Sequence, residues 1–428
     1  MLYQVAVTRR DPVRGEAFFA GRIHLFTGCT ALIPLHAVYA LMMSDAGVST
    51  AQLSTLFVIW TITMSLFEVP AGAVADRLPR HLLLALAALA QALGFMLWVV
   101  FASLFAFGAG FVLWGLGTAL RSGTLQALVY DTLTARGEAD RYARISSTNG
   151  AIQTMAIAAS SLLAPPLLLA GGYPAVGWVS VAFNLAAVPV ALSLPDHRRT
   201  GAPTEVTALG SGYLSLLRAG VREAAVVPAV RNALVVIAFM TGLGVVDEYL
   251  PLQARESGIA VPAIPLVLFL PWTAMAVGGV AAGRWSRVRP GMVAVGLAAA
   301  ATMFTVGALS RHMAGFLGIA GFYGVMRYTQ VLADIRLQEW ITGPARATVT
   351  SLGSFVAQTV ALGVFGMFGL GSTVVRTSTL VAWLGVPVLA LACLLPWLLS
   401  QHRSGADPPR PWTEPGAAVL RRESADGA

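Results

Sequence analysis

Long apolar stretches dominate the chain and are separated by short clusters of Arg, Gly and Pro. A helix needs about 20 mostly apolar residues to cross the hydrocarbon core of a membrane. Splitting the sequence at its charge clusters and Gly/Pro turns yields twelve such stretches, which we predict to be membrane-spanning helices in two sets of six. The first set is Glu16–Met43, Ser49–Ala73, His81–Phe101, Ser103–Asp131, Ala143–Ala170 and Tyr173–Leu194; the second is Arg231–Pro251, Val261–Gly283, Gly291–Leu309, Met313–Leu337, Ala345–Leu370 and Arg376–Leu399.

The pattern therefore predicts an all-α membrane protein made of two six-helix bundles. The bundles cover residues 16–195 and 231–400, the tails cover 1–15 and 401–428, and a linker over 196–230 joins the halves. From Tyr213 the linker becomes amphipathic, which predicts a short helix lying on the membrane surface. An extended tether is the alternative.

Composition supports a bilayer rather than water as the main solvent. The 428 residues are 57% hydrophobic and 11% charged, whereas soluble domains carry about 25% charged residues. The net charge of +8 does not indicate a nucleic-acid partner, because the arginines lie at the ends of apolar stretches rather than in one patch. The two cysteines lie far apart in separate apolar stretches, so we predict neither a disulfide nor a metal site.

The arginines also predict the orientation of the chain in the membrane. All 28 basic residues are Arg, and 23 of them lie on the cytoplasmic side if the N-terminus is inside. Only Arg255, Arg311 and Arg376 fall outside, and Arg121 and Arg327 remain within spans. Because cytoplasmic loops carry the excess of positive charge, we predict that both termini are cytoplasmic.

The two sets of helices repeat one another. "GAVADRLPR" from Gly72 matches "GVAAGRWSR" from Gly279, and each follows the second span of its set. Arg121 and Arg327 hold similar places in spans four and ten, and spans five and eleven begin with "ARISSTNG" and "ARATVTSLG". Ordered matches at a nearly constant offset predict two homologous, pseudo-symmetric halves, as in transporters whose bundles rock about a central cavity.

"GAVADRLPRHLLL", between spans two and three, resembles the signature loop of the major facilitator superfamily: Gly, a spacer, Asp-Arg, then Gly or Pro and a basic residue. Span count, linker and duplication extend the resemblance over nearly the whole chain. "FEVPAG" and "SGTLQALVYDTL" resemble a bacterial drug-efflux-like branch, although "APPLLLAGG" in span five does not match the signature of its proton antiporters. The resemblance implies a multi-pass, monomeric secondary transporter in the bacterial cell membrane that works by alternating access.

Five residues around the signature loop form a predicted conformational latch. Gly72 permits close approach of helices. The resemblance implies that Asp76 reaches the N-terminus of span eleven, surrounded by the charges of Arg77 and Arg80. A carboxylate gains about 0.3–1 kcal/mol there, and the contact exists only while the cytoplasmic side is closed. Alternatively, the two arginines are ordinary positive-inside anchors; we interpret Glu68 as a helix-end or gate residue.

Span seven carries the candidate proton-coupling residues, Asp247 and Glu248. An apolar setting favours the neutral, protonated form of a carboxylate, so either acid could carry a proton. Adjacent residues point about 100° apart on a helix, so we expect at most one to face a central cavity. The resemblance favours Glu248. The alternative is that the pair is solvated at the outer interface.

Three further residues inside spans are candidates for substrate binding: Arg121, Arg327 and His36. Ionisable side chains in a membrane are costly and by default suggest function, and a guanidinium could bind an anionic substrate. The alternative is that these residues have structural roles. His36 would then be a packed side chain, and the two arginines would pair with Glu68, Asp131 or Asp334.

The leading hypothesis is proton-coupled export of a small amphipathic molecule or drug, driven by the proton gradient without a cofactor. Uptake or exchange of an organic anion held by Arg327 is the alternative within transport. In another class, the chain could be a transporter-like membrane sensor, although a sensor would be expected to carry a sizeable soluble domain. The sequence has no phosphate-binding loop, metal-spaced His/Cys set or nucleophile motif, so we predict that it is not an enzyme.

Overall fold

The structure is a computed structural model that describes residues 12–75, 77–195, 222, 227–341 and 346–399. All regular secondary structure in these residues is helical, as predicted. The first half contains α1 (Pro12–Ala31), α2 (Tyr39–Asp45), α3 (Thr50–Ala75), α4 (Arg80–Phe101), α5 (Leu104–Arg121), α6 (Thr124–Ala135) and α7 (Tyr142–Leu192). The second contains α8 (Pro228–Leu243), α9 (Leu250–Glu256), α10 (Ile264–Arg284), α11 (Pro290–Ser310), α12 (Gly315–Trp340), α13 (Arg346–Gly371), α14 (Thr377–Trp383) and α15 (Gly385–Leu399).

Ten helical stretches among the described residues are long and apolar enough to cross a membrane. One of them, Ala139–Leu192, includes α7, which a break at Gly171 and Gly172 divides into residues 142–170 and 173–192. The 26-residue α12, over predicted span ten, is not among the ten stretches. The structure thus establishes an all-helical protein with ten such stretches, and the count of twelve crossings stays a prediction. The predicted linker helix lies outside the described residues.

The same helix pairs recur in both halves, as the sequence repeat predicts. In the first half, α1 packs on α7, and α5 packs on both α3 and α4. In the second, α8 packs on α13, and α12 packs on both α10 and α11. The halves meet along two seams, α3 with α13 and α7 with α10.

Glycines allow the closest of these helix contacts. A Cβ atom on Gly278 of α10 would overlap the carbonyl oxygen of Gly324 on α12, and one on Gly94 of α4 would lie 2.8 Å from the carbonyl oxygen of Gly110 on α5. Small residues let membrane helices approach until their backbones touch. Close backbone contacts of this kind therefore occur in both halves.

Two predicted spans are broken where continuous helices were expected. Span one ends its first helix at Ala31 because Pro34 has no N–H and pushes Ile33 out of helical geometry (φ −123°, ψ 86°). The orphaned N–H of Leu35 donates instead to Ser180 Oγ at 3.0 Å. Span four breaks after Arg121, where Gly123 has φ +73°, a conformation that favours glycine, and α6 begins anew at Thr124.

A third irregularity lies in span seven, where residues Gly244–Tyr249 form a 3₁₀ helix between α8 and α9. This segment carries Asp247 and Glu248. A 3₁₀ stretch within a longer helix often marks a hinge or a functional position, and here it borders the seam between the halves.

Candidate functional site

A cavity lies between the two halves. The first half contributes residues of the Pro34–Ala37 turn and of α7, and the second contributes the Gly244–Tyr249 segment and parts of α9, α10 and α12. Its polar and aromatic lining consists of His36, Ser160, Ser161, Asp247, Glu248, Trp272 and Tyr323. A cavity at the interface of two repeats is where a small molecule is expected to bind in such folds.

Both acids of span seven line this cavity. The expectation that at most one would face it was wrong, because it assumed a regular α-helix with the cavity on one side. The two acids lie in a 3₁₀ segment at the edge of the cavity, which extends along this segment toward Leu268 and Tyr323 as well as toward the other half. Two adjacent carboxylates therefore share one enclosed space.

Glu248 forms a hydrogen bond across the interface between the halves. The Tyr39 hydroxyl donates to its Oε2 atom. Tyr39 is 2% exposed and is held by aromatic rings on several sides, including Trp98 at 5.7 Å between ring centroids and Trp114 at 6.0 Å. Because the rings hold the hydroxyl in place, the strength of its hydrogen bond depends on whether the Glu248 carboxylate is ionised.

His36 lies beside this hydrogen bond. Its ring packs edge-on against Tyr39, with centroids 5.8 Å apart, and against Trp114 at 5.3 Å. It lines the same cavity as Glu248 and is close enough to interact with it electrostatically. The structure thus brings together two residues that the sequence singled out separately.

An ion pair joins the halves at the end of the bundle that carries the Ala46–Ser49 loop, which we call the α2–α3 end. Arg255 Nη2 of α9 lies 2.7 Å from Asp45 Oδ1 of α2. The Tyr173 hydroxyl donates to the other oxygen of Asp45 at 2.6 Å, and Arg255 Nη2 donates to that hydroxyl at 3.5 Å. We call these three residues the Asp45 gate.

Apolar and hydroxyl contacts extend this closure inward along α3 and α13. Ser54 and Tyr249 share a hydrogen bond of 2.7 Å between their hydroxyl oxygens, and Phe57 packs against Phe365 with centroids 5.4 Å apart. Farther along, the Ser65 hydroxyl donates to the side-chain oxygen of Gln358. The α2–α3 end is therefore closed from the loop to about the middle of the seam.

The sequence matches the family model of the Major Facilitator Superfamily over residues 23–335. This match spans well over half of the chain. The chain belongs to the Major Facilitator Superfamily. The resemblance read from the signature loop is confirmed at the level of the superfamily, and the protein is a membrane transporter of this type; the drug-efflux-like branch stays a prediction.

Solved structures of other transporters share the fold. A crystal structure of the nucleoside transporter NupG superposes with a TM-score of 0.68 at 11% identity, covering 90% of this chain and 100% of that one. A D-xylose-proton symporter gives 0.66 at 12% identity, with coverages of 90% and 98%. A bacterial homologue of the human lysosomal transporter Spinster, in an inward-facing and unoccupied conformation, gives 0.63 at 15%, with coverages of 91% and 95%. No curated protein sequence matches the chain.

The opposite end carries residues 77–79, and we call it the α3–α4 end. Gly72, near the end of α3, has no atom of the described residues within 4 Å of the position that a Cβ would occupy. Leu66 of α3 and Phe355 of α13 are 65% and 67% exposed. Among the described residues Gly72 therefore does not make the predicted close helix approach.

The other predicted latch residues lie at the same end. Arg80 pairs with Asp131 of α6, within the first half rather than across the seam. Arg77 lies in the turn after α3, and Glu68 is an exposed residue of α3. Asp76 lies outside the described residues, so the latch itself stays a prediction.

The two arginines within spans have different surroundings. Arg121 ends α5 and lines a separate polar cavity within the first half. Arg327 is an exposed residue near the middle of α12, with its side chain beside Gly279 of α10. Among the described residues neither forms an ion pair, so the alternative of pairing with Glu68, Asp131 or Asp334 is not seen.

Sequence reasoning did not single out Tyr39 or the Asp45 gate. Tyr39 follows His36 by three residues, a spacing that places both on one face of a helical turn, and this was the available signal. Asp45 and Arg255 each sit at the end of an apolar stretch, where charges are common at a membrane surface. Nothing in the sequence pairs two residues so far apart. No group of three or more His, Cys, Asp or Glu residues in the described part of the chain could hold a metal ion.

Proposed function

We propose that the chain is a twelve-span secondary transporter that exports a small amphipathic molecule in exchange for protons, with Glu248 as the proton carrier. The observation that supports this most directly is the Tyr39–Glu248 hydrogen bond across the seam, at a cavity lined by both halves. The proposal places the protein in the bacterial cell membrane as a monomer, with no cofactor beyond the proton gradient.

The proton would act through the contact that holds the α2–α3 end closed. Hydrogen bonds to a charged acceptor are roughly twice as strong as neutral ones, so the ionised Glu248 holds Tyr39 more firmly than the protonated one. Protonation weakens a contact that exists only in the closed state, and a two-state equilibrium shifts toward the state that lacks it. Release of the proton to the interior restores the full bond, so ionised Glu248 keeps the α2–α3 end closed while the next substrate molecule binds.

The distribution of arginines predicts how this cycle is oriented in the membrane. If the predicted orientation holds, the closed α2–α3 end faces away from the cytoplasm, as in an inward-facing state. Substrate then enters the cavity from the cell interior, and protonation of Glu248 from outside accompanies each return. The cavity lining joins carboxylates with Trp272, Met275 and Tyr323, which suits a molecule with both polar and apolar parts.

A liposome assay tests the proposal. The purified chain would be reconstituted with an internal pH dye and an imposed proton gradient, and amphipathic cations, neutral drugs and organic anions would be added in turn. We expect substrate-dependent proton movement in the wild type that is lost in Glu248→Gln. Asp247→Asn is the matched control, since it neutralises the adjacent carboxylate of the same cavity and leaves the Tyr39 contact in place.

Two results would refute the assignment. Undiminished proton movement in Glu248→Gln would exclude Glu248 as the carrier. Substrate exchange that is indifferent to the proton gradient would exclude proton coupling altogether.

A further inference from the structure

We propose that the cavity at the break between α5 and α6 is an anion subsite, which binds the carboxylate of an amphipathic organic acid. This inference goes beyond the proposed function, which places the transported molecule in the cavity between the halves. It is carried by three features of the first half that converge on one space: a cationic side chain, a helix N-terminus and a buried hydroxyl.

The cationic feature is Arg121. It is the last residue of α5 and lines the cavity. None of the residues lining this cavity is an acid, and no hydrogen bond or ion pair is formed by Arg121 within the described residues. A guanidinium inside a membrane bundle is costly unless its charge is balanced. An anion bound in this cavity would balance the charge of Arg121.

The helix N-terminus is that of α6. The break at Gly123 leaves α6 without a side-chain cap, and the Ser122, Leu125 and Gln126 residues around its first turn line the cavity. The first N–H groups of a helix have no partner within it, and the aligned peptide dipoles place partial positive charge there. A helix N-terminus within a broken span is therefore a ready-made site for an anionic group.

The buried hydroxyl is that of Thr27 on α1. Thr27 is 6% exposed and lines the same cavity, and its Oγ1 atom has no hydrogen-bond partner among the described residues. Buried polar groups in folded proteins are nearly always hydrogen-bonded, so an unpartnered one facing a cavity points to a ligand. Its neighbour Thr30 does not share this property, since its hydroxyl donates to the carbonyl of Phe26 at 3.0 Å.

Amide groups complete a donor-rich wall. Asn149 and Gln153 of α7 line the cavity, and Asn149 Oδ1 pairs with His24 Nδ1 at 3.4 Å. The resulting set of guanidinium, backbone N–H, hydroxyl and amide groups matches the needs of a carboxylate, which accepts up to about four hydrogen bonds.

An adjoining cavity explains why the anion should be part of an amphiphile. This second space shares Leu125, Gln126, Asn149 and Gln153 with the first. It is lined in addition by the apolar side chains of Ile23, Val129 and Ile145 and by the polar side chains of Tyr142 and Ser146. A simple inorganic ion would leave this space empty, whereas the rest of an amphipathic organic acid would extend into it and contact both kinds of side chain.

Binding to the full chain purified in detergent tests the inference without any proton measurement. The probes are hexanoate, hexylamine, hexanol and inorganic phosphate, and the readout is the concentration-dependent rise in melting temperature that specific binding produces. We expect hexanoate alone to stabilise the wild type. In Arg121→Gln its apparent Kd should rise at least tenfold, equivalent to about 1.4 kcal/mol. Arg327→Gln, the pseudo-equivalent arginine of the other half, is the matched control and should bind hexanoate normally.

Thr27→Val provides a second variant that is expected to fold. The substitution removes an unpartnered buried hydroxyl, so the ligand-free chain should be at least as stable as the wild type. Its affinity for hexanoate should nevertheless fall severalfold. If Thr27 had a purely structural role, the affinity for hexanoate would fall only together with the stability of the ligand-free chain.

Several outcomes would overturn the inference. Equal stabilisation by hexanol or hexylamine would show that no anion is recognised. Equal binding of phosphate would show that the site does not recognise the apolar part of the organic acid. Undiminished hexanoate binding in Arg121→Gln, or equal loss in Arg327→Gln, would place the site elsewhere. Because the assay involves no proton movement, hexanoate binding together with failed coupling at Glu248 would refute the proposed transport mechanism and leave the subsite intact.

Discussion

The Asp45 gate yields a quantitative prediction about the conformational equilibrium. Asp45→Asn removes one charge of the cross-half pair but keeps an acceptor for the Tyr173 hydroxyl, whereas Arg255→Gln removes the other charge. Both substitutions remove an interaction that is present only while the α2–α3 end is closed. Each variant should therefore populate the open state of this end more than the wild type does.

The size of the effect follows from the exposure of the pair. The side chains of Arg255 and Asp45 are 32% and 44% exposed, and ion pairs with such access to water contribute about 0.2–1 kcal/mol. At the upper end of that range, the ratio of open to closed molecules rises about fivefold. High salt should shift the wild type in the same direction, because it screens exposed charges.

Distances between paired spin labels report this ratio directly. Labels attached to cysteines at Ala46 and Ala260 lie on opposite halves of the closed end, and both positions are exposed. The two native cysteines, Cys29 and Cys393, would first be replaced. We expect a longer-distance population that grows in either single variant.

The double variant decides whether the gate acts as a pair. If the ion pair carries the effect, the double substitution shifts the equilibrium by less than the sum of the two single shifts. Strict additivity, or an unchanged distance distribution in both single variants, would refute the reasoning. Glu138→Gln is the control, because its 3.9 Å pair with Arg141 lies within one half and should not affect the seam.

Three further predictions concern other parts of the seam and the core. Tyr39→Phe keeps the ring but removes the donor to Glu248, so transport should stay proton-coupled while the pH at half-maximal rate shifts; an unchanged pH profile would contradict the proposed role of the bond. Asp76→Asn should slow transport without affecting membrane insertion, and a wild-type rate would exclude the latch. Gly278→Ala should lower stability by about 1–3 kcal/mol in thermal unfolding, since overpacking is costly. Gly296→Ala, whose added Cβ meets nothing within 4 Å, should not, and equal losses in both would refute the packing argument.

The sequence predicts the helices and the two-fold repeat well because both depend on local or periodic features. Apolar length determines which segments enter a membrane, and the matched loops around Gly72 and Gly279 identify the halves without any knowledge of contacts. The break of span four was also visible in principle, since Arg121 is followed by Ser-Gly. A glycine can equally continue a membrane helix, so the sequence alone does not distinguish a break from close packing.

The contacts that make up the candidate site were not predictable in the same way. Glu248 and His36 were identified because ionisable groups are conspicuous in apolar stretches. Their partner Tyr39 is separated from Glu248 by 209 positions, and such a pairing depends on how the two halves dock. Docking is set by the whole surface of each bundle, which leaves no local pattern in the sequence.

Adjacent charges on α9 have a mechanical consequence for opening. While Arg255 reaches the other half, the carboxylate of Glu256 accepts hydrogen bonds from the backbone N–H groups of Thr377 at 3.0 Å and Ser378 at 2.9 Å, and so caps α14 of its own half. Rupture of the pair with Asp45 leaves that cap intact, so α9 and α14 swing away together. Opening at this end is then a rigid-body hinge motion of α9 with α14 rather than local unfolding of a loop.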